Sequence, residues 1–205
     1  IVDVGGGTTD IALIENDFGT LKEIAIEGLK RFGGINIDQK LFEMYKDEFE
    51  LSTDSEKLLF RDLLEDVKIE LSSKKKSKLI FKDKVVEITR ESLEKLIKKD
   101  IEGLDKTIDR VLKKGKVELK NIEAVLPIGG SSNIPAVREL LKKKFKSKLI
   151  SLDFDESITA VAKGAAIASA INAKIIKDLS FKQCLEHSVG LRIWSGSEDN
   201  KIFKA

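Results

Sequence analysis

The chain has 205 residues, 41% hydrophobic and 35% charged, which is enough apolar material for one large domain or two subdomains and too much for a disordered chain. Its net charge of +2, with lysines mixed among acids, excludes the electrostatic footprint of a nucleic-acid binder. The single cysteine, Cys184, excludes an intrachain disulfide and a cysteine-clustered zinc site and points to a reducing compartment, while no apolar run approaches the roughly 20 residues of a membrane span.

The first residues, Ile1, Val2 and Val4, read as a buried strand entered in its middle, so further residues are expected upstream. Gly5, Gly6 and Gly7 follow, and Asp10 to Ile14 is β-like again, making the order strand, glycine turn, strand. Glycine costs roughly 0.5–1 kcal/mol relative to alanine inside a regular element, so three together mark a turn or the close approach of a ligand. The order excludes the dinucleotide fingerprint and the Walker loop, both of which need a helix straight after their glycines. Two readings stay open: an ordinary glycine-rich hairpin, and a hairpin whose N–H groups form an anion-binding nest, with Thr8 and Thr9 hydroxyls beside it and Asp3 and Asp10 flanking it.

Residues 21–30 alternate as a third strand, and Phe32-Gly33-Gly34 punctuates it. Helical spacing predicts a helix from Asn36 to about Phe49 and another from Asp54 to about Leu71, both amphipathic. The run Lys74-Lys75-Lys76 reads as a solvated turn. Residues 78–90 read as two short strands turning at Lys82-Asp83-Lys84, and a long helix from about Arg90 to Lys114 completes a compact α+β insert. Residues 122–130 return to a buried strand; Ser131, Ser132 and Asn133 are cap candidates, and Pro135 is an early helical proline, for a helix over 134–145. Residues 148–154 predict one more strand, followed by a helix over 155–172 whose Ala160, Gly164, Ala165 and Ala168 keep one side small for close packing on a sheet.

Three bends at strand ends stand out: Gly5 to Thr9, Gly129 to Asn133, and Asp153 to Asp155. In open α/β sheets ligands gather beyond the carboxyl ends of the strands, and a nucleotide suits loops that meet there. Gly129-Gly130 permits close approach of a base or sugar and the following helix N-terminus suits phosphate, or the bend is a plain helix cap. Asp3 stands where a carboxylate can hold magnesium through water and orient an attacking water, since magnesium keeps most of its waters and needs few protein carboxylates. Asp155 reads as a second such acid or, preferably, as the N-cap of its helix. Asp10 equally reads as a solvated strand residue. Glu65, Lys68 and Ser72, at i, i+3 and i+7, present an acid, a base and a hydroxyl on one helical face, which suits ribose hydroxyls or a surface Glu65–Lys68 pair of about 0.2–0.5 kcal/mol. His187 and Cys184 lack the third partner of a triad or metal site and receive no role.

Taken in order, these motifs resemble the nucleotide-binding domain of the seventy-kilodalton heat-shock (DnaK-type) chaperones, members of the actin-like ATPase superfamily. "VDVGGGTTDIALIE" is similar to the family's second phosphate loop, "GGINIDQKL" to the entry of its mobile subdomain, and "EDVKIELSS" to its adenosine helix. "LPIGGSSNIPAV" resembles its adenosine loop, and "DESITAVAKGAA" the helix closing that half of the cleft. The resemblance implies an α/β actin-like (ribonuclease H-like) fold, a mixed sheet flanked by helices with an α+β outer subdomain. The inner subdomain would comprise 1–33 and 98–183, the outer 34–97, and 184–205 a tail or linker.

By the same resemblance the chain is the second lobe of an ATPase domain binding ATP or ADP with Mg2+. Its expected partners are lobe I and a peptide-binding domain of the same protein, a co-chaperone and a nucleotide exchange factor; a cytoplasmic location is implied. Gly5, Gly6, Gly7 and Thr8 would cradle the β- and γ-phosphates, Asp3 would act near magnesium and the attacking water, and Asp10 would support the loop. Glu65, Lys68 and Ser72 would hold ribose and adenine, Gly129, Gly130 and Ser131 would line the adenosine pocket with Asn133 beside the base, and Asp155 would match an adenosine-side acid. The chain departs from the family at Ile35, where an acid is usual, and at Asn133, where an arginine is common. Past Asp178 the acidic, leucine-rich linker is not clear, although "HSVGLRIWSGS" resembles the strand that follows it. Two further readings stand beside this one: a lobe of a bacterial actin-like filament ATPase, and a degenerate relative acting as a docking module.

Overall fold

A computed structural model describes residues 1–184, 190–193 and 201–204. Strand β1 (Val2–Val4) buries both valines on one face and leaves Asp3 half-buried on the other, the period of two that a pleated strand imposes. It runs antiparallel to β2 (Thr8–Asp17), which forms a long hairpin with β3 (Thr20–Lys30) and carries a bulge between Leu13 and Ile14. Asp3 lies opposite Asp10 in this register. Strand β6 (Pro127–Ile128) joins the other edge of β1 in parallel, and β7 (Ser180–Lys182) joins β3 in parallel, so the mixed sheet has the order β6-β1-β2-β3-β7.

Between β3 and β6 the chain builds the insert: α1 (Gly34–Tyr45), α2 (Asp54–Ser73), the hairpin β4 (Lys76–Phe81) and β5 (Lys84–Thr89), and α3 (Arg90–Gly115). On α2 the buried residues Phe60, Leu64, Val67 and Leu71 recur at helical spacing and face α1 and β4. Four rings, Phe42, Phe49, Phe60 and Phe81, close this side of the core with centroids 4.9–6.0 Å apart. Helix α3 runs from this cluster to the sheet, burying Leu93 and Ile97 near one end and Leu104, Ile108 and Val111 where it crosses β2 and β3. Lys40 pairs with Asp100, tying α1 to α3. Arg90 donates to the carbonyls of Leu71, Ser72 and Lys74, satisfying acceptors that the end of α2 would otherwise leave open.

The start of α2 is held by a capping box, in which the Thr53 hydroxyl accepts from Glu56 N–H and the Glu56 carboxylate accepts from Thr53 N–H. Thr53→Ala is expected to lower stability by about 1 kcal/mol in denaturant titration. A loss below about 0.3 kcal/mol would show that Glu56 alone suffices, since it also accepts from Ser52 N–H.

Three expectations are corrected. Residues 122–130 and 148–154 do not form two full strands: β6 has two residues, and the second segment contributes one isolated bridge, Leu149 to Val125. Pro127 brings no N–H to the ladder, and the chain leaves the sheet plane for the capping box of the next helix. Helix α4 (Pro135–Phe145) does carry proline in its first turn, but its N-cap is Ile134 without a side-chain bond, because the Ser131 and Ser132 hydroxyls are directed elsewhere. Helix α5 (Phe154–Asn172) does not lay its small side on a sheet: only Ser157 is buried, and the element meets β6 and the 129–133 bend by its first turns alone. Strands β8 (Gly190–Ile193) and β9 (Lys201–Lys204) pair antiparallel; His187 lies outside the described residues. Among the described residues no helix is long and apolar enough to cross a membrane.

Candidate nucleotide site

The glycine loop between β1 and β2 is closed by Gly5 N–H donating to Thr8 O at 3.0 Å. Its carbonyls point to one side: Gly5 O accepts from Gly34 N–H at 3.0 Å and from the Ser131 hydroxyl at 2.9 Å, and Gly6 O accepts from Ile35 N–H at 2.7 Å. In a planar trans peptide the N–H points opposite to the C=O. The N–H groups of Gly6 and Gly7 therefore face away from α1, and they donate to no acceptor among the described residues. The turn of this hairpin thus points two N–H groups outward, the arrangement an anion-binding nest requires. Thr8 Oγ1 donates to Asp10 Oδ2 at 3.2 Å, and the buried Thr9 donates to Phe32 O at 2.9 Å, which anchors the strand leaving the loop.

Close backbone approach explains the paired glycines around the loop. A Cβ on Gly33 would lie 2.6 Å from Gly6 O, and one on Gly34 would lie 3.1 Å from Ser131 Oγ and 3.2 Å from Lys68 Nζ. At Gly129 the backbone has φ 81° and ψ 148°, and a Cβ would lie 2.5 Å from both Asp3 Oδ1 and Val4 O. Three segments far apart in the chain thus meet at β1: the loop at 5–8, the start of α1 and the bend at 129–133.

Asp3, half-buried beside Gly129, has its carboxyl raised above the usual carboxylate range by burial first and by the Asp10 charge second. No group of three or more His, Cys, Asp or Glu that would cage a cation exists among the described residues. Two carboxylates opposed across adjacent strands fit a cation that brings its own waters and a phosphate, as magnesium does.

The face of α2 splits. Lys68 is buried, and its ammonium pairs with the Asp38 carboxylate of α1 at 2.7 Å and stands 3.6 Å from Glu65 Oε1. The Glu65–Lys68 pair is present, but its ammonium is buried rather than on the surface and its nearer partner is Asp38, with Glu65 exposed at the rim. Burial raises the Asp38 carboxyl above its usual range, and the ammonium opposes this with a smaller effect. Asp38 Oδ1 is buried without a hydrogen-bond partner among the described residues. Ser72, at the end of α2, lines a cavity of about 690 Å3 that Asn133 also lines.

In the second bend Ser132 Oγ donates to Gly129 O at 2.7 Å, and Gly129 N–H donates to Ser157 O at 3.0 Å. Asn133 Nδ2 donates to Ser157 Oγ at 3.1 Å, and its Oδ1 accepts from Arg138 Nη2 at 2.6 Å. Asp155 is corrected as a cap: Asp153 is the N-cap of α5, accepting from Glu156 N–H at 2.7 Å. Asp155 is exposed in the first turn, while Ser157 and Ile158 meet the 129–130 backbone. Sequence reasoning missed Asp38, Ser157 and Arg138. Asp38 and Ser157 meet their partners 30 and 24 positions away, which no local spacing encodes, and Arg138 meets Asn133 five positions back, across the start of α4. Ile35 is 68% exposed and lies over Gly6, so the departure at this position puts an apolar side chain beside the loop.

A family model described as "Hsp70 protein" matches residues 1–205. The chain is 30% identical to "Chaperone protein DnaK" of Thermosipho melanesiensis, over 84% of this chain and 32% of that relative. It is 30% identical to "Chaperone protein DnaK" of Thermosipho africanus, over 84% of this chain and 31% of that relative. The chain thus spans about a third of the length of these relatives.

Proposed function

This chain belongs to the Hsp70 family and has the α/β actin-like ATPase fold, and from that premise we propose that it is one lobe of a chaperone ATPase domain, binding one wall of ATP or ADP. The observation that carries the reading is the outward pair of N–H groups at Gly6 and Gly7, set beside Thr8 and Asp3. In this reading the loop from Gly5 to Thr8 receives the β- and γ-phosphates, and Asp10 steadies it through the Thr8 hydroxyl. Asp3 would orient the attacking water and would hold Mg2+ through water. When bound, the magnesium neutralises charge on the phosphate oxygens. Glu65 and Ser72 face the ribose and adenine, and Lys68 reaches the ribose from its pair with Asp38. Gly129, Gly130 and Ser131 bring backbone and hydroxyl to the adenosine. Asp155 enters only as an exposed acid beyond that pocket.

The division into an inner subdomain of 1–33 and 98–183 and an outer one of 34–97, followed by the 184–205 tail, belongs to the same proposal. So do a partner lobe I, a peptide-binding domain, a co-chaperone, an exchange factor and a cytoplasmic site of action. Calorimetry on the 205-residue chain with Mg-ADP and Mg-ATP tests the split cleft: weak binding without turnover is expected, and sub-micromolar ATP binding or robust hydrolysis would refute it. Gly7 offers a separate test, because a Cβ there meets nothing within 4 Å. Gly7→Ala is expected to keep stability within about 0.5 kcal/mol while weakening ADP at least about tenfold and leaving adenosine unchanged. Equal loss for ADP and adenosine would remove the phosphate role from the loop.

A further inference from the structure

A cavity of about 690 Å3 lies between the end of α2, the length of α4 and the start of α5, and its lining includes Ser72, Ser73, Arg90, Asn133, Arg138 and Phe154. Two of these residues, Ser72 and Asn133, already stand on the nucleoside side of the proposed site. Arg138 has no part in it so far. Its guanidinium donates to Asn133 Oδ1 at 2.6 Å and to Leu152 O at 3.4 Å, so it is fixed by two acceptors on different segments. It has no carboxylate partner among the described residues, which is uncommon for a half-buried arginine in a chain with this many acids. Asn133 spends its own side chain on bracing, donating from Nδ2 to Ser157 Oγ and accepting at Oδ1 from Arg138. Phe154 lines the same cavity and is 56% exposed.

We infer that Arg138, held by Asn133 and assisted by the Phe154 ring, is the platform on which the purine base of the nucleotide stacks, making Arg138 a determinant of base binding. Both hydrogen bonds leave from Nη2, and Nε is buried without a partner among the described residues, so the guanidinium is pinned at one corner and poorly hydrated, and its flat, delocalised plane is the kind of surface that stacks on aromatic rings. A lysine cannot present that face. The α2 end of the lining supplies the Ser72 hydroxyl for the edge of a heterocycle, while Ser73 Oγ already donates to Glu70 O and Arg90 is committed to the carbonyls at the end of α2. This inference rests on the nucleotide reading above.

The test compares two ligands that differ only in the base, Mg-ADP and Mg-ribose 5-diphosphate, each titrated into the 205-residue chain by chemical-shift perturbation. Arg138→Ala is expected to weaken ADP about tenfold, the scale of losing one stacking partner, and to leave ribose 5-diphosphate unchanged. Arg138→Lys keeps the charge without the plane and is expected to recover less than half of that loss, and it guards against misfolding of the alanine variant. Full recovery by lysine, or equal weakening of both ligands, would make Arg138 a phosphate-attracting charge and overturn the platform. Unchanged ADP binding in both variants would overturn it as well. Failure of the unsubstituted chain to bind either ligand would overturn the nucleotide reading itself, and the platform with it.

Discussion

Gly129→Ala is expected to destabilise the chain by about 2–6 kcal/mol in denaturant titration. The backbone at Gly129 occupies a region with positive φ and extended ψ that is essentially reserved for glycine, which costs another residue about 1–3 kcal/mol. The added methyl would also lie 2.5 Å from Asp3 Oδ1 and Val4 O, so either the bend or β1 must shift, adding about 1–3 kcal/mol of overpacking. Gly164→Ala is the matched control. That glycine sits inside α5 with nothing within 4 Å of a Cβ, and alanine there is expected to raise stability by about 0.5–1 kcal/mol. If Gly129→Ala lost less than about 1 kcal/mol, the close seating of the bend on Asp3 would be wrong.

Lys68→Met is expected to cost about 3–5 kcal/mol at pH 8, because it strips the counter-charge from a buried carboxylate that already has one unpartnered oxygen. The sign of the pH effect follows from Asp38. Its folded pKa is raised above the unfolded value, so its stabilising contribution is fully present below the ordinary carboxylate range and is lost as pH rises through the folded pKa. Removing the ammonium raises that folded value further. The loss caused by Lys68→Met should therefore shrink markedly between pH 8 and pH 4, as Asp38 takes up a proton and becomes neutral. A loss independent of pH would show that the methylene stem of Lys68, and not the ion pair, carries the effect.

The elements with strong local periodicity were legible in the chain itself. The glycine turn between strands, the third strand, α2, the β4–β5 hairpin at Lys82-Asp83-Lys84 and α3 all stand within a few residues of where spacing puts them, because burial on one face and turn chemistry are local signals. The segment from 122 to 154 was not, since apolar content alone cannot say whether a run finds a strand neighbour, and Pro127 and the Asp153 cap limited it to two residues and one bridge. In the site, the glycines and Asp3 could be singled out because close approach demands particular residue types. Asp38 and Arg138 could not. Lys68 is reached from another helix, 30 positions away, and Asn133 sits in the bend five positions before Arg138, outside the i, i+3 and i, i+4 spacings that a helix encodes. Lys68 shows the same limit from the other side: its i, i+3 relation to Glu65 is real, but the nearer carboxylate, 30 positions away in sequence, takes the ammonium inward.

Among the described residues, the first two amides of α1 have no acceptors other than the carbonyls of Gly5 and Gly6. A helix start cannot drift from its only acceptors without stranding polar groups, so the glycine loop and the rod that begins at Gly34 form one mechanical linkage. Whatever grips the loop from its open side also fixes the tilt of that rod, and whatever pushes the rod retunes the grip, with equal free energy in both directions.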